Sequence, residues 1–246
     1  MPLLAVNDVH LYYESRGTGA PLVMIGGLGL DVSEMTNFTG PLAEGFQVIA
    51  IDNRGTGRSD KPAGPYSIEQ MAGDAAGLLD RLGVGRAHML GFSMGGRIAM
   101  SLALSRPELV DRLVLVSTAP RRAPRTRWRV VLGMLTANLP VLRGRYPQPR
   151  HAMKAQFDAT TRFDCTSRLG EIDAPVLIVA GRTDHVAPLP LAEEMRDKIP
   201  GARLMVVDGG HIAPLMIRHK QVVTAVTEFL SADSRALSCT TQVFVS

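Results

Sequence analysis

The sequence has few cysteines, few aromatic residues and no long apolar run. Its 246 residues include only two cysteines, Cys165 and Cys239, which form no spaced framework, so a disulfide scaffold and a cysteine-based zinc site are excluded. Aromatic residues make up 5% of the chain, too few to indicate a surface that stacks on nucleic-acid bases. No uncharged apolar run approaches the roughly 20 residues needed to cross a bilayer, which argues against stable membrane insertion.

The first residues do not have the pattern of a signal peptide. Residues 1–10 contain no basic stretch followed by an apolar one, so they do not resemble a signal peptide. Together with the scarce cysteines, this predicts a cytoplasmic protein. The hydrophobic content of 46% and the near balance of 27 Lys and Arg against 23 Asp and Glu exclude intrinsic disorder. The length favours one α/β domain with an insertion, or two small domains.

Short apolar runs alternate with helical patterns along most of the chain. The runs are dense in Val, Ile, Leu and Met, as in strands that a parallel sheet buries on both faces. They cover Leu22–Gly27, Gln47–Asp52, Ala87–Phe92, Arg112–Ala119, Ala174–Gly181 and Arg203–Asp208. The helical segments cover Ser33–Glu44, Ser67–Leu82, Met94–Ser105, Leu189–Ile199 and Leu215–Leu230. A hairpin with Asn7 and Asp8 at its turn precedes them. The order predicts an α/β fold, with a mostly parallel central sheet and helices on both faces.

The alternation of strands and helices is interrupted once. Residues 120–165 carry their own apolar helix candidate, so they are interpreted as an insertion between two strands of a core formed by 1–119 and 166–231. Residues 232–246 lose helical periodicity and are mostly small and polar, which predicts a flexible tail. One core with an insertion is therefore the expected organisation.

The sharpest local motif is Gly91-Phe92-Ser93-Met94-Gly95, between a predicted strand and a predicted helix. A serine on so tight a strand-to-helix turn needs small neighbours, because its own backbone is strained. The helix that follows directs N–H groups towards the place where an oxyanion would develop. In this context the pentapeptide predicts that Ser93 is a nucleophile.

A nucleophilic serine needs a general base, and the base needs an orienting acid. His211 directly follows the last predicted core strand, behind two glycines, and is assigned as the base by position and by elimination, with His185 as the first substitute. Asp184 ends the strand before it and is assigned as the acid. Asp208 lies too near His211 in sequence, and Asp173 precedes its strand, at the wrong edge of a parallel sheet. The order Ser93, Asp184, His211 is typical of one hydrolase fold.

From about Val23 to Phe229 the chain resembles the α/β-hydrolase superfamily, with small carboxylesterases and oxoadipate enol-lactonase-like enzymes as the nearest groups. Residues 52–59 resemble its strand-four loop, whose glycines and arginine are usually structural. Residues 26–29 occupy the place of its oxyanion loop, with Gly26 where a histidine is usual. By this matching, the backbone N–H groups of Leu28 and Met94 are the expected oxyanion donors. The resemblance implies that neither a cofactor nor a metal is needed.

The resemblance further implies a serine hydrolase that forms an acyl-enzyme on a small-molecule ester or lactone. In this superfamily an insertion at 120–165 is a cap over the serine, and its compact size favours a carboxylesterase for small or medium acyl groups. One alternative is an enol-lactonase or carbon–carbon hydrolase acting on an acidic substrate. An alternative of another class is a non-catalytic hydrolase-fold binding protein or receptor.

The basic excess of the chain lies in the insertion. Residues 119–165 contain ten basic and two acidic residues, so this segment carries +8 and the rest of the chain −4. The charge therefore does not indicate nucleic-acid binding. The arginines either attract a substrate carboxylate or form a solvated face or a subunit contact, which leaves a homo-oligomer open.

Overall fold

In the computed structural model of this protein, residues 3–123, 145–232 and 244–245 are described. Within these residues nine strands form one sheet, in the order β1-β2-β4-β3-β5-β6-β7-β8-β9. The strands are β1 (Leu3–Val6), β2 (Val9–Arg16), β3 (Ala20–Ile25), β4 (Phe46–Ile51), β5 (Ala87–Phe92), β6 (Val110–Val116), β7 (Val176–Gly181), β8 (Arg203–Val207) and β9 (Phe244–Val245). The α-helices are α1 (Thr36–Leu42), α2 (Ile68–Leu82), α3 (Met94–Ser105), α4 (Arg150–Arg162), α5 (Leu189–Lys198), α6 (Ala213–Met216) and α7 (His219–Ser231).

Parallel pairing dominates the sheet, as the alternation of strands and helices predicts. β1 and β2 form the expected antiparallel hairpin, and β2 pairs antiparallel with β4. From β3 to β9 every pair of neighbouring strands is parallel. The predicted fold class is confirmed, and the carboxyl ends of the parallel strands share one edge of the sheet.

Helices cover both faces because successive strand residues point to opposite sides. Val23 and Ile25 of β3 belong to one buried cluster, which the apolar faces of α2, α3 and α5 complete. Leu22 and Met24 belong to the other, which includes residues of α1 and α7. The sheet is thus the middle layer of three, and its carboxyl edge is where loops from both sides meet.

The inserted segment leaves and re-enters the core at one narrow place. Arg121 forms a two-residue antiparallel bridge with Asp164, and the N–H of Cys165 donates to the carbonyl of Pro120 at 3.0 Å. Helix α4 lies between these ends. The apolar helix candidate predicted within residues 130–142 lies outside the described residues.

Two details of the C-terminal part differ from the sequence prediction. The helix predicted over Leu215–Leu230 is two helices, α6 and α7, with Pro214 in the first turn of α6. Within the segment predicted as a flexible tail, Phe244 and Val245 pair with β8 as an edge strand. An open sheet edge presents unpaired N–H and carbonyl groups, which even two residues satisfy. In the described part of the chain, no helix is both long and apolar enough to cross a membrane.

Candidate active site

Ser93 occupies the sharp turn between β5 and α3 that the sequence predicts. Its φ of 53° lies in the left-handed region, which a residue with a side chain enters at a cost. A Cβ on Gly91 would stand 2.4 Å from the carbonyl oxygen of Gly95, and one on Gly95 would stand 2.0 Å from that of Ile25. Both positions must therefore be glycine for the turn to close.

Hydrogen bonds hold this strained turn in place. The N–H of Ser93 donates to the carbonyl of Val116 on β6 at 2.9 Å. The Ser93 carbonyl accepts from the Thr118 hydroxyl at 2.6 Å and from the N–H of Gly96 at 3.0 Å. Because these bonds hold the backbone of Ser93 against the end of β6 and the start of α3, the Cα–Cβ bond of Ser93 keeps one direction.

That direction leads to His211. Nε2 of His211 lies 2.9 Å from Oγ of Ser93, and its Nδ1 lies 2.8 Å from Oδ2 of Asp184. The Phe92 ring packs beside the imidazole, with ring centroids 5.5 Å apart. The structure therefore brings together the three side chains that the sequence singles out, in the hydrogen-bonded order serine, histidine, aspartate.

Asp184 is held rigidly for this contact. Its side chain is fully buried, and its second oxygen accepts from the N–H groups of Val186 at 2.7 Å and Ala187 at 2.9 Å. A Cβ on Gly181 would stand 2.6 Å from the carbonyl oxygen of Gly210. Glycine at that position lets the loop after β7 approach the loop after β8 closely enough for Asp184 to reach His211.

The other acids considered from the sequence lie elsewhere. Asp208 is half exposed and pairs with Arg182, its Oδ1 lying 3.0 Å from the arginine Nε. Asp173 precedes β7 and is exposed. Neither carboxylate is a partner of the His211 imidazole in the structure.

Three other histidines have surroundings of their own. His10 lies 2.9 Å from Asp60 at the surface. His88 is buried in β5 with its Nδ1 3.1 Å from Asp111, and burial lowers the pKa of its imidazole. His185 is exposed. These placements agree with the choice of His211 as the histidine that faces the serine.

The loop after β3 borders the same serine. A Cβ on Gly27 would stand 3.2 Å from Cβ of Ser93, so the two backbones pack directly against each other. In this loop the N–H of Leu30 donates to the Gly27 carbonyl at 3.2 Å, and the N–H of Gly29 donates to Oε1 of Gln156 at 3.2 Å. Leu28 lies between these engaged groups.

The loop after β4 is held by internal contacts of Asp52 and Arg54. Asp52 is fully buried and accepts from the N–H groups of Val32 and Arg58 at 2.7 and 2.8 Å, while burial raises the pKa of its carboxyl. Arg54 is 1% exposed and holds the Asp74 carboxylate through two hydrogen bonds. Burial alone would lower the pKa of Arg54, but its carboxylate partners raise it. The loop serves the fold, as the sequence predicts.

Sequence comparison identifies the family. Residues 20–157 match the family described as alpha/beta hydrolase fold, and residues 152–236 match the TAP-like protein family. This protein belongs to the α/β-hydrolase family. A putative carbamate hydrolase RutD from Azorhizobium caulinodans is 32% identical over 85% of this chain and 91% of its own length.

Solved α/β-hydrolase structures have the same architecture. The enol-lactonase from Burkholderia xenovorans LB400 is 28% identical, with a TM-score of 0.81, over 94% of this chain and 100% of its own. The esterase from Exiguobacterium antarcticum is 27% identical, with a TM-score of 0.81, over 93% of this chain and 98% of its own. The hydrolase fold therefore extends over nearly the whole protein.

Two residues that link the hydrolase core to the inserted segment escaped sequence reasoning. Arg97 on α3 is buried and donates to the carbonyls of Ala119, Arg121 and Thr160, and burial lowers the pKa of its guanidinium to about 10. Gln156 on α4 is fully buried against the core. Neither belongs to a recognisable motif, so no local signal could have identified them.

Some of the basic residues of the inserted segment pair with acids of this chain. Arg121 lies 2.7 Å from Glu194, and Lys154 lies 2.5 Å from Asp158. Arg125, Arg127, Arg129 and Arg143 lie outside the described residues. Within the described ranges, no group of three or more His, Cys, Asp or Glu side chains is arranged to hold a metal ion.

Proposed function

We propose that this protein is a serine hydrolase that cleaves carboxylic esters of small or medium acyl groups. The observation that carries the proposal is the row of two hydrogen bonds from Ser93 through His211 to Asp184, 2.9 and 2.8 Å long. Distances of this length are those that proton transfer to a general base requires. The proposal makes Ser93 the nucleophile, His211 the general base and Asp184 the residue that orients it.

In the proposed reaction His211 removes the proton of Ser93 as its hydroxyl attacks the substrate carbonyl. The tetrahedral oxyanion accepts hydrogen bonds from the N–H groups of Leu28 and Met94. Met94 supports this role as the first residue of α3, where an N–H has no acceptor within the helix. Leu28 supports it because the next two N–H groups of its loop are engaged. Such a donor contributes about 3 kcal/mol to transition-state stabilisation.

The second half of the reaction regenerates the enzyme. His211 returns the proton to the leaving alcohol, and the bond between the carbonyl carbon and that alcohol breaks to leave an acyl-Ser93. A water molecule, deprotonated by the same histidine, then attacks the acyl carbon. The bond between that carbon and Oγ of Ser93 breaks, His211 returns the proton to Ser93, and the acid leaves. The proposal needs no metal or cofactor, and residues 120–165 act as a cap that selects the acyl group.

A second candidate substrate class differs in the leaving group. The relative that is 32% identical is named a putative carbamate hydrolase, and a similar structure is that of an enol-lactonase. Carbamates and lactones present a carbonyl carbon that the same serine would attack. The two classes are separated by comparing kcat/KM for p-nitrophenyl esters, carbamates and an acidic enol-lactone.

A fluorophosphonate probe tests the nucleophile itself. We expect the wild-type protein to be labelled stoichiometrically and Ser93→Ala not to be labelled. Folded wild-type protein that is neither labelled nor active on any substrate of the panel would favour a binding protein of hydrolase fold. If the lactone or the carbamate is turned over and short-chain esters are not, that substrate class replaces the ester in the proposal.

A further inference from the structure

Gln156 is a fully buried amide whose hydrogen-bonding capacity is completely used. Its Nε2 donates to the carbonyl of Arg54 at 2.7 Å and to the hydroxyl of Thr56 at 2.8 Å. Its Oε1 accepts from the N–H of Gly29 at 3.2 Å and from Nε2 of Gln148 at 2.7 Å. A side-chain amide has two donor hydrogens and two acceptor lone pairs, so none remains unused.

The amide of Gln156 has one permitted orientation. A backbone N–H only donates and a backbone carbonyl only accepts, so Oε1 must face Gly29 and Nε2 must face Arg54. Exchanging the two ends would set a donor against a donor and an acceptor against an acceptor. The side chain is therefore a directional link between two loops of the core.

The two loops differ in what they contribute. Arg54 and Thr56 belong to the loop after β4, which the buried ion pair of Arg54 with Asp74 makes rigid. Gly29 follows Leu28 in the loop that borders Ser93. Gln156 lies on a helix of the inserted segment and hydrogen-bonds both loops. It therefore sets the position of the Gly29 loop relative to the Arg54 loop.

The contact with Gly29 orients a peptide unit next to the proposed oxyanion donor. The peptide group between Leu28 and Gly29 is planar, so the direction of the Gly29 N–H also determines the direction of the Leu28 carbonyl. Gly29 has a φ of 70°, and a Cβ there would stand 2.8 Å from Oε1 of Gln148. Cε of Met153 on α4 would stand 3.3 Å from the same Cβ, so the loop packs closely against the start of α4.

We propose that Gln156 is a positioning residue, which orients the Leu28–Gly29 peptide and so makes transition-state stabilisation depend on how the inserted segment is seated. This inference rests on the proposed function of Ser93 and Leu28. Gln156 touches no reacting atom. Its effect is exerted through the loop, where a displacement of about 1 Å is enough to lower a rate by about 100-fold.

The decisive variant is Gln156→Met, which keeps the length of the side chain and removes all four hydrogen bonds. We expect kcat for a p-nitrophenyl ester to fall about 10- to 100-fold and KM to stay within about twofold. The rate is expressed per Ser93 titrated to completion with a fluorophosphonate, so that unfolded protein is not counted. A kcat per titrated site within twofold of wild type would overturn the inference, whatever the loss of stability.

Lys154→Met is the matched control on the same helix. Its side chain is 76% exposed and pairs with Asp158 of the same helix at 2.5 Å, so the substitution places a methionine on α4 without removing a hydrogen bond to either loop. We expect unchanged kcat and KM. A loss equal to that of Gln156→Met would show a general disturbance of α4 and would also overturn the inference.

The pH dependence of kcat in Gln156→Glu separates a positioning role from a packing role, because packing alone would not make the effect depend on pH. A neutral carboxyl keeps the two contacts that set the orientation, since it accepts from Gly29 and donates its one hydrogen to the Arg54 carbonyl, whereas an ionised one has no hydrogen to donate. We expect the ratio of its kcat to that of wild type to fall as the pH rises. A ratio that is independent of pH and equal to that of Gln156→Met contradicts the inference. Wild-type protein without any turnover would overturn the proposed function as well, whereas active wild type with equally active Gln156→Met overturns this inference alone.

Discussion

The loop that follows β4 and the turn that follows β5 both pack glycines against neighbouring backbone or side chains. Their polar side chains differ, because those of Asp52 and Arg54 in the loop are buried and that of Ser93 in the turn is partly open. In the β4 loop Asp52 is 0% and Arg54 1% exposed, and the buried carboxylate of Asp74 is the main partner of Arg54. In the β5 turn Ser93 is half-buried, and among the described residues its hydroxyl is hydrogen-bonded to the His211 imidazole. Buried side chains whose polar atoms are hydrogen-bonded stabilise a fold, whereas a nucleophile must remain accessible to the substrate.

The largest expected effect concerns Ser93 in the β5 turn. Ser93→Ala should lower kcat for an ester by about 10⁶-fold, because the covalent route is lost altogether. Its melting temperature should not fall, since the hydroxyl is no part of the core. Steady-state kinetics and thermal unfolding check both statements, and substantial remaining activity would assign the nucleophile elsewhere.

The second effect concerns the residue that orients the histidine. Asp184→Asn should keep the geometry but lower kcat by about 10⁴-fold, because the imidazole would be held in the wrong tautomer. Asp208→Asn is the matched control, since that carboxylate pairs with Arg182 and not with His211. If Asp208→Asn lost more activity than Asp184→Asn, the choice of acid would be wrong.

The third effect concerns the buried ion pair of the β4 loop. Asp74→Ala leaves the buried guanidinium of Arg54 without its main partner, which should lower the free energy of unfolding by about 3–5 kcal/mol. The kcat of the folded fraction should fall by less than about 10-fold, because this ion pair does not touch Ser93 and affects the site only through the contact of Gln156 with the β4 loop. Urea unfolding and kinetics per titrated site separate the two quantities. A large loss of kcat at unchanged stability would erase the distinction between the loops.

The smallest effect concerns the other partner of the same arginine. Asp8 lies 2.8 Å from Arg54, but its side chain is 62% exposed. Solvent screens such a pair, so Asp8→Ala should lower the free energy of unfolding by less than about 1 kcal/mol. Equal losses for the Asp8 and Asp74 variants in the same urea experiment would mean that burial does not decide the strength of these pairs.

Local patterns were sufficient to predict strands β1 to β8 and most helices of the core, but not α4 in the inserted segment. Strands such as Ala87–Phe92 are recognisable because burial on both faces demands an uninterrupted apolar run, and glycines mark the turns after them. The prediction of secondary structure was wrong in the C-terminal part, where strand pairing depends on residues that are far apart in the sequence. Phe244 and Val245 become a strand only because β8 offers an open edge, and residues 213–231 form two helices where periodicity predicts one.

The sequence by itself determined the fold class and placed Ser93, Asp184 and His211 at strand ends, because each follows an apolar run and parallel strands end at one edge. Only the tertiary structure decided which acid reaches His211 and which residues join the inserted segment to the core. Gln156 contacts Gly29 across 127 positions and Arg97 contacts Thr160 across 63. Such contacts follow from packing in space, and a glutamine on a polar helix carries no local sign of the loop that it holds.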